Sequence, residues 1–440
     1  MIRAPFGLTT QHSSAHRRLL IAPLSPIGLA LASYLFFWGC VLLPPNVYKT
    51  IMEEPNWMFL DTTSIVFVTL CVLGYMAGVV LIKATAIGRP HTVNKSYLGR
   101  RAILFPLLAA FVLNLVSVSL IAKNTPNLFT AWFINGANAK TGLDATGALT
   151  QSLPLLYGIC WWVLWQVMNR EYIGGHHSHV LRSAFCGAFA AALATAIIKV
   201  ARYDLMPMLI GTTLVYMTIK LQNKRVSILR YATFVGTSAI AVIILFAGFS
   251  WLRGADSQSV LLNSTAGYTV ASYNRLAGVL NGQIELPYAG TGAYALRFLG
   301  ALPLLHRWVG FGIPDPASVL SSEFTAVGAA GLDGRYIWPS AFGSVYSDMG
   351  WASPAYFFVI GMLSMWAWRR LRAGRATGAL LYPWLAFSVL FWFGNNIVSS
   401  PQLVTLAGAA ALLSVYERAI ARRVRGGAEY GRRPAGTIRS

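Results

Sequence analysis

The chain is poor in charge. Of its 440 residues only 11% are charged and only 14 are acidic, whereas a soluble globular protein carries about 25% charged residues. A water-soluble enzyme of this length needs more surface charge than the chain possesses. Cysteine is scarce as well. Cys40, Cys71, Cys160 and Cys186 all fall inside apolar runs and none forms a CxxC pair, so neither a disulfide framework nor a zinc site is expected. No glycine-rich loop ends in Lys-Ser or Lys-Thr, which removes the phosphate-cradling loop of nucleotidases. A DxD or clustered-acid set for Mg²⁺ or Mn²⁺ is also missing, so no metal and no other cofactor is expected.

What the chain has instead is apolar surface. It is 56% hydrophobic, with 14 Trp, 19 Tyr and 23 Phe, and the apolar residues fall in runs long enough to cross a hydrocarbon core about 30 Å thick. The expected class is an all-α polytopic membrane protein with about ten transmembrane helices, at 20–44, 62–83, 102–122, 148–168, 183–199, 204–220, 231–250, 352–369, 378–395 and 402–417. Arg3, Arg17 and Arg18 precede the first run, which is longer than a signal-peptide core and lacks a small-x-small cleavage pattern. It is therefore expected to stay attached as a membrane helix.

Charge sorts the connections. With ten spans, one side receives both termini and four short connections, and it holds 25 of the 35 Lys and Arg residues but only Glu171, Glu417 and Glu429 of the acids. The positive-inside rule makes that side cytoplasmic. The net charge of +21 thus reads as a topology signal over anionic lipid, and nucleic acid is not an expected partner. The organisation that follows is a cytoplasmic N-terminus (1–19), seven membrane helices (20–250), one large extracytoplasmic loop (251–351), three more helices (352–417) and a basic cytoplasmic tail (418–440). A bacterial inner, or plasma, membrane is the expected location, with the large loop facing the periplasm.

Several stretches carry potential chemistry. Glu53-Glu54 before Pro55-Asn56-Trp57 is an acidic first outer connection; a solvated interfacial turn is the simpler reading, a catalytic base the sharper one. His176, His177 and His179 follow two glycines and read better as a polar loop than as a metal site. In the hairpin Lys199-Val-Ala-Arg202-Tyr203-Asp204, Arg202 either pairs with Asp204 or aims its planar fork at a lipid phosphate. The large loop holds five arginines and no lysine, a choice suited to phosphate recognition. In it, Val270, Tyr273, Ala277 and Leu280 share a helix face, with Arg275 on the other side. A glycine-rich turn spans 287–294, Arg297 follows, and His306-Arg307-Trp308 closes a short apolar piece that could dip into the interface. Tyr336, Trp338 and Tyr346 offer flat apolar faces to sugar rings or, equally, an interfacial belt. Glu323, His306 and Asp348 are the candidates for a catalytic base; for Asp348, capping the next helix or ordering a loop competes with catalysis.

The end of the loop reads Ser340-Ala341-Phe342-Gly343-Ser344-Val345-Tyr346-Ser347-Asp348-Met349-Gly350, just before a membrane helix. This stretch resembles the closing motif of the bacterial O-antigen and exopolysaccharide polymerases, the membrane oligosaccharide-repeat-unit polymerases, with Met349 where Phe is more usual. The short hairpin with Arg202 and the late loop with Arg275 are similar to that family too, and the likeness covers roughly 190–370. It implies a GT-C-like, metal-independent membrane glycosyltransferase. Such an enzyme moves a growing glycan from undecaprenyl diphosphate to a hydroxyl of the next lipid-linked repeat unit, making O-antigen, capsule or exopolysaccharide. Arg202, Arg275, Arg297 and Arg335 would hold the diphosphate, and Tyr336, Trp338 and Tyr346 the sugars. The implied partners are an undecaprenyl-diphosphate-linked oligosaccharide, membrane lipid, and a chain-length regulator and flippase of the same pathway. A related O-antigen ligase, another lipid-sugar transferase, or a transporter of lipid or polysaccharide is the alternative. Transport is the weaker reading, since the span interiors lack ionisable residues and no repeat is visible.

Overall fold

A computed structural model describes residues 20–85, 98–124, 151–174, 178–198, 202–223, 263, 265–300, 314 and 316–430, together with 227, 229–233, 236–237 and 240. Among these no strand occurs. The helices are α1 (Pro26–Val41), α2 (Pro45–Met52), α3 (Thr62–Ala84), α4 (Arg100–Asn124), α5 (Ser152–Gly174), α6 (His179–Ile198), α7 (Arg202–Asn223), α8 (Val270–Leu280), α9 (Arg297–Gly300), α10 (Pro316–Ala329), α11 (Ser340–Met349), α12 (Ser353–Arg372), α13 (Ala376–Leu390) and α14 (Pro401–Tyr430).

Helices occupy nine of the ten ranges expected to be spans; the remaining range, 231–250, lies mostly outside the described residues. Four of them, α3, α4, α6 and α14, are long and apolar enough to cross a membrane, and α1 with α2 makes a fifth if that bent pair is one span. Large apolar side chains stand exposed on these outer helices, among them Leu35 on α1, Leu73 on α3, Phe105 and Leu108 on α4 and Leu412 on α14. So broad an exposed apolar surface fits contact with lipid tails rather than water. By contrast α5 is buried along almost its whole length, with Trp161 and Trp162 fully enclosed. It packs against α4, α6, α7, α13 and α14. A helix surrounded by protein has no lipid face to match, which explains why Trp, Gln166 and Asn169 are tolerated in it.

The first expected span ends at Pro44-Pro45, where proline can neither donate to the preceding turn nor avoid clashing with it, and the short helix α2 turns away from α1 there at 92°. One expectation changes. The last helix runs past 417 into the basic tail, reaching Tyr430.

The tightest packing in the membrane part is between α3 and α12. Gly74 and Gly78 form a Gly-x-x-x-Gly pair, and Gly361 answers from α12. A Cβ at Gly78 would strike the carbonyl of Phe358, and one at Gly361 the carbonyl of Tyr75. Small residues at that spacing let two backbones approach closely, so that dispersion and weak polar contacts hold them where no hydrophobic drive exists. The large loop, for its part, folds into a helical cap of α8 to α11. It has a small core of its own, built from Val279, Ile284, Leu286, Tyr294, Val319, Val327 and Leu332. Residues α8 and α11 contribute on their other sides, including Tyr273, Leu276, Phe342 and Val345, join the main core.

Gly78→Leu should destabilise the protein by about 3 kcal/mol or more, since the obstacle is backbone and cannot swing away. The midpoint of thermal unfolding in detergent, compared with that of the exposed-face change Leu73→Ala, measures it; equal midpoints would show that the α3–α12 contact does not hold the fold.

Candidate functional site

The cap is fastened to the membrane helices by one buried ion pair. Helix α2 ends at Glu53, whose φ of 57° turns the chain, leaving Glu53 exposed and Glu54 buried. Arg275, midway along α8 and 0% exposed, donates from its two terminal nitrogens to the Glu54 carboxylate at 2.7 and 3.1 Å. The same guanidinium donates to the carbonyls of Ala271 and Asp333, each at 3.1 Å. Glu54 accepts further bonds from the Tyr48 hydroxyl at 2.9 Å and the Asp333 amide at 2.5 Å. The backbone of Asp333 is therefore clamped on both its donor and its acceptor. Next to this pair, Asn274 accepts from the Trp57 amide at 2.6 Å and donates to the Pro55 carbonyl at 2.9 Å.

These contacts revise two readings. Glu54 is not part of a solvated turn: burial of a carboxylate is costly, and here the cost is offset by a bidentate guanidinium and two further donors. Nor is Arg275 open to a diphosphate in this conformation, because both faces of α8 are covered and its terminal nitrogens are engaged.

A second anchor orders the glycine-rich turn. Asp348, in the last turn of α11, accepts from the amides of Gly292 at 3.1 Å, Tyr294 at 2.8 Å and Ala295 at 2.7 Å. Gly290 and Gly292 have φ of 79° and 83°, values glycine adopts without strain, and they curl the turn so that its N–H groups converge. A carboxylate at a helix C-terminus opposes the helix dipole; the three amides compensate. Asp348 thus takes the loop-ordering role and does not cap the helix after it. The turn continues into the polar break between α13 and α14. There the Asn396 side chain donates to the Tyr294 carbonyl at 3.0 Å and meets the Tyr356 hydroxyl at 3.0 Å, while Ser344 of α11 donates to Asn395 at 3.1 Å.

Arg297 and Glu323 lie beside this turn. Glu323 projects from α10, is buried, and faces Arg297 at 3.9 Å. It takes no hydrogen bond from the described residues. Burial pushes its carboxyl up to about 7, and Arg297 offsets only part of that rise. Burial and then the Glu323 charge also push the Tyr294 hydroxyl upward. The arrangement provides a carboxyl that changes charge near neutrality next to a guanidinium whose side chain is 22% exposed.

The other expected residues are distributed around it. Arg335 is 71% exposed, pairs with Asp333 at 2.6 Å and lies over the Tyr336 ring. Tyr336 is buried, donating to Asn263 at 3.2 Å. Trp338 packs on Tyr268 and Phe391, and Tyr346 on Phe67 and Trp351. Of these aromatics, Trp351 presents the most open face, at 53% exposure. Arg202 opens α7, but its side chain, like the whole of His306, lies outside the described residues. Glu54 as the partner of Arg275, and Asn274, Asn263 and Asn396 as the cap's polar fasteners, are not evident from motif reading. The one signal for Glu54 is that α8 carries no acid of its own to pair with Arg275. No family model, curated protein or solved structure matches this chain.

Arg275→Ala or Glu54→Ala should each cost about 3–5 kcal/mol, because each strands a buried charge. The pair Arg275→Met with Glu54→Gln should lose less than Arg275→Met alone. Denaturation midpoints of the purified variants measure this; a double variant as damaged as the sum of the singles would refute the pairing. Asp348→Ala should leave the membrane helices folded but raise amide exchange at 290–295 by at least about tenfold, read by hydrogen–deuterium exchange.

Proposed function

We propose that the chain is a membrane glycosyltransferase that joins undecaprenyl-diphosphate-linked oligosaccharide repeat units into a surface polysaccharide. It would do so from about ten spans in a GT-C-like arrangement, with both termini cytoplasmic and the cap on the periplasmic face of the inner membrane. The observation that carries this reading is the Arg297–Glu323 pair, beside a turn tied by Asn396 to the break between α13 and α14. The resemblance of 340–350 to the polymerase closing motif supports it, as does the arginine-only cation content of the loop.

The reaction assigns each group a task. A hydroxyl of the acceptor repeat unit attacks the anomeric carbon of the donor glycan. Its proton passes to the ionised Glu323, and the bond from that carbon to the diphosphate oxygen breaks. The diphosphate departs with the electron pair, and its added charge is met by Arg297, with Arg202 and Arg335 as the further cations that the family resemblance assigns to it. Preorganised donors of this kind are each worth about 3 kcal/mol in a partly dry site. A base with a pKa close to the working pH combines a populated basic form with adequate driving force. Trp351, the most exposed of the aromatics described above, and Tyr346, edge to face with it at 6.3 Å, would offer the face for a sugar ring. Arg275 supports the site from beneath by fixing α8 and the Asp333 segment.

Purified protein given a lipid-diphosphate-linked repeat unit should yield a ladder of products. Glu323→Gln should slow it by ~10²–10⁴-fold, and Arg202→Ala and Arg297→Ala should abolish long polymer, with Lys a poor replacement for a forked donor. The rate should climb as pH rises through about 7 and lose that rise in Glu323→Gln. Since the native state favours the protonated acid, the stability this carboxyl confers is present at low pH and lost as pH rises through the same value. A full ladder from Glu323→Gln would remove the base assignment. Ligated product with normal polymer on the carrier would point to a ligase.

A further inference from the structure

A second polar site lies at the far end of α12 from the cap, about 25 Å along the helix axis from Ser353. There α12, α13 and α14 enclose a cavity of about 600 Å³, a volume ordinary for a small-molecule pocket. Its walls carry four arginines, Arg370, Arg375, Arg418 and Arg422, and a single carboxylate, Glu417. Glu417 faces inward and is occupied, accepting from Trp162 Nε1 at 2.9 Å and Gln166 Nε2 at 3.3 Å. No carboxylate in the described residues comes within 4.0 Å of any of the four guanidiniums. Arg369, Arg375 and Arg418 all lie within electrostatic reach of Arg370, so four or more like charges are concentrated around one carboxylate, Glu417, whose field reaches Arg375.

The local construction keeps them there. Gly374, with φ of 73°, makes the turn between α12 and α13, and a Cβ on it would run into the Trp165 ring. Arg370 lies over the Trp366 ring at 5.4 Å, which orients its guanidinium. Arg418 and Arg422 are four residues apart and so share one face of α14. The hydroxyl of Thr377, on the cavity wall, is buried and has no hydrogen-bond partner. A cavity offering several unpaired guanidiniums and a free hydroxyl is complementary to an anion with several acceptor oxygens.

We propose that this cavity binds a phosphate group, and that the phosphate belongs to the headgroup of an anionic lipid. Val415 on the cavity wall and Leu412 one turn before it are 63% and 74% exposed. They continue the apolar outside of α14 along which acyl chains would run, whereas a soluble phosphate has no use for them. The bound headgroup ties α14 to the α12–α13 turn by neutralising arginines from both. It is separate from the diphosphate of the proposed transfer reaction, which sits at the other end of α12.

The test uses the full-length protein in detergent. Its unfolding midpoint is followed while phosphatidylglycerol, phosphatidylcholine or inorganic pyrophosphate is titrated in. Phosphatidylglycerol should raise the midpoint in a saturable way and phosphatidylcholine should not. The double variant Arg370→Gln with Arg418→Gln should need at least about tenfold more phosphatidylglycerol, the loss expected for removing two charge-assisted contacts. Thr377→Val, a smaller change that spares folding, should show a weaker shift in the same direction. An equal response to pyrophosphate would keep the phosphate site but assign it to a soluble ligand. No response of the unaltered protein to either phosphate compound, or an unchanged titration in a folded Arg370→Gln/Arg418→Gln variant, would overturn the proposal.

Discussion

The cap depends on the bond between Arg275 and Glu54. These residues are 221 positions apart, and both are almost completely removed from solvent, at 0% and 3% side-chain exposure. A pair so deeply buried adds little net stability, because desolvating two ions cancels most of their attraction. What it supplies is position. Alternative packings of α8 against the 48–57 segment would leave a naked charge in a dry interior, at a cost larger than any apolar contact could return. The pair therefore selects one docking of the cap and excludes the others. Asn274 and the doubly bonded backbone of Asp333 repeat the same restriction with neutral groups.

The helices beneath the cap are restricted in a different way. Between α3 and α12 the constraint is steric: glycine backbones touch, and no larger residue fits. Around α5 it is volume, since Trp161 and Trp162 fill the middle of the helical array. The cap is thus held on a base with little freedom to slide, and the polar break at Asn395 and Asn396 carries that rigidity to the glycine-rich turn through Tyr294 and Ser344. The glycosyl transfer proposed above would rely on preorganised donors and so on such a frame.

Much of this frame is legible in the sequence. Runs of apolar residues mark the helices because any segment that faces lipid must be apolar and must satisfy its own backbone. The large loop stands out by contrast, and its Arg275, Arg297, Glu323 and Asp348 are visible as charges in a charge-poor chain. What the sequence does not disclose is pairing. The Arg275 side chain reads as a phosphate ligand until Glu54 is found beside it, and nothing local in 50–57 announces that partner. Asp348 reads equally as a cap of the next helix or as a loop-ordering group, and what decides for the loop is three donors from residues more than 50 positions earlier. The Gly74–Gly78 pair is a legible signal, but which helix it receives is a tertiary fact. Helix ends are blurred for the usual reason that propensity changes slowly, although Pro44-Pro45 is a stop that steric chemistry makes readable.

The two buried guanidinium–carboxylate pairs of the cap differ in how completely the carboxylate is satisfied. Glu54 receives four donors and lies 2.7 Å from its arginine. Such a carboxylate has no unused acceptor to offer a substrate hydroxyl, and losing any partner would unbalance the core. Glu323 is buried nearly as deeply, yet its arginine stops at 3.9 Å and no hydrogen bond from the described residues satisfies it. Its surroundings therefore raise its proton affinity instead of suppressing it. An incompletely solvated acid of that kind is a liability to the fold, worth tolerating only where the free acceptor has a use. The gap of about an ångström between the two pairs thus separates a saturated anchor from a carboxylate that the described residues leave unbonded, and it is this second carboxylate, on the Arg297 side of the turn that Asp348 holds, that the proposed reaction would use as its base.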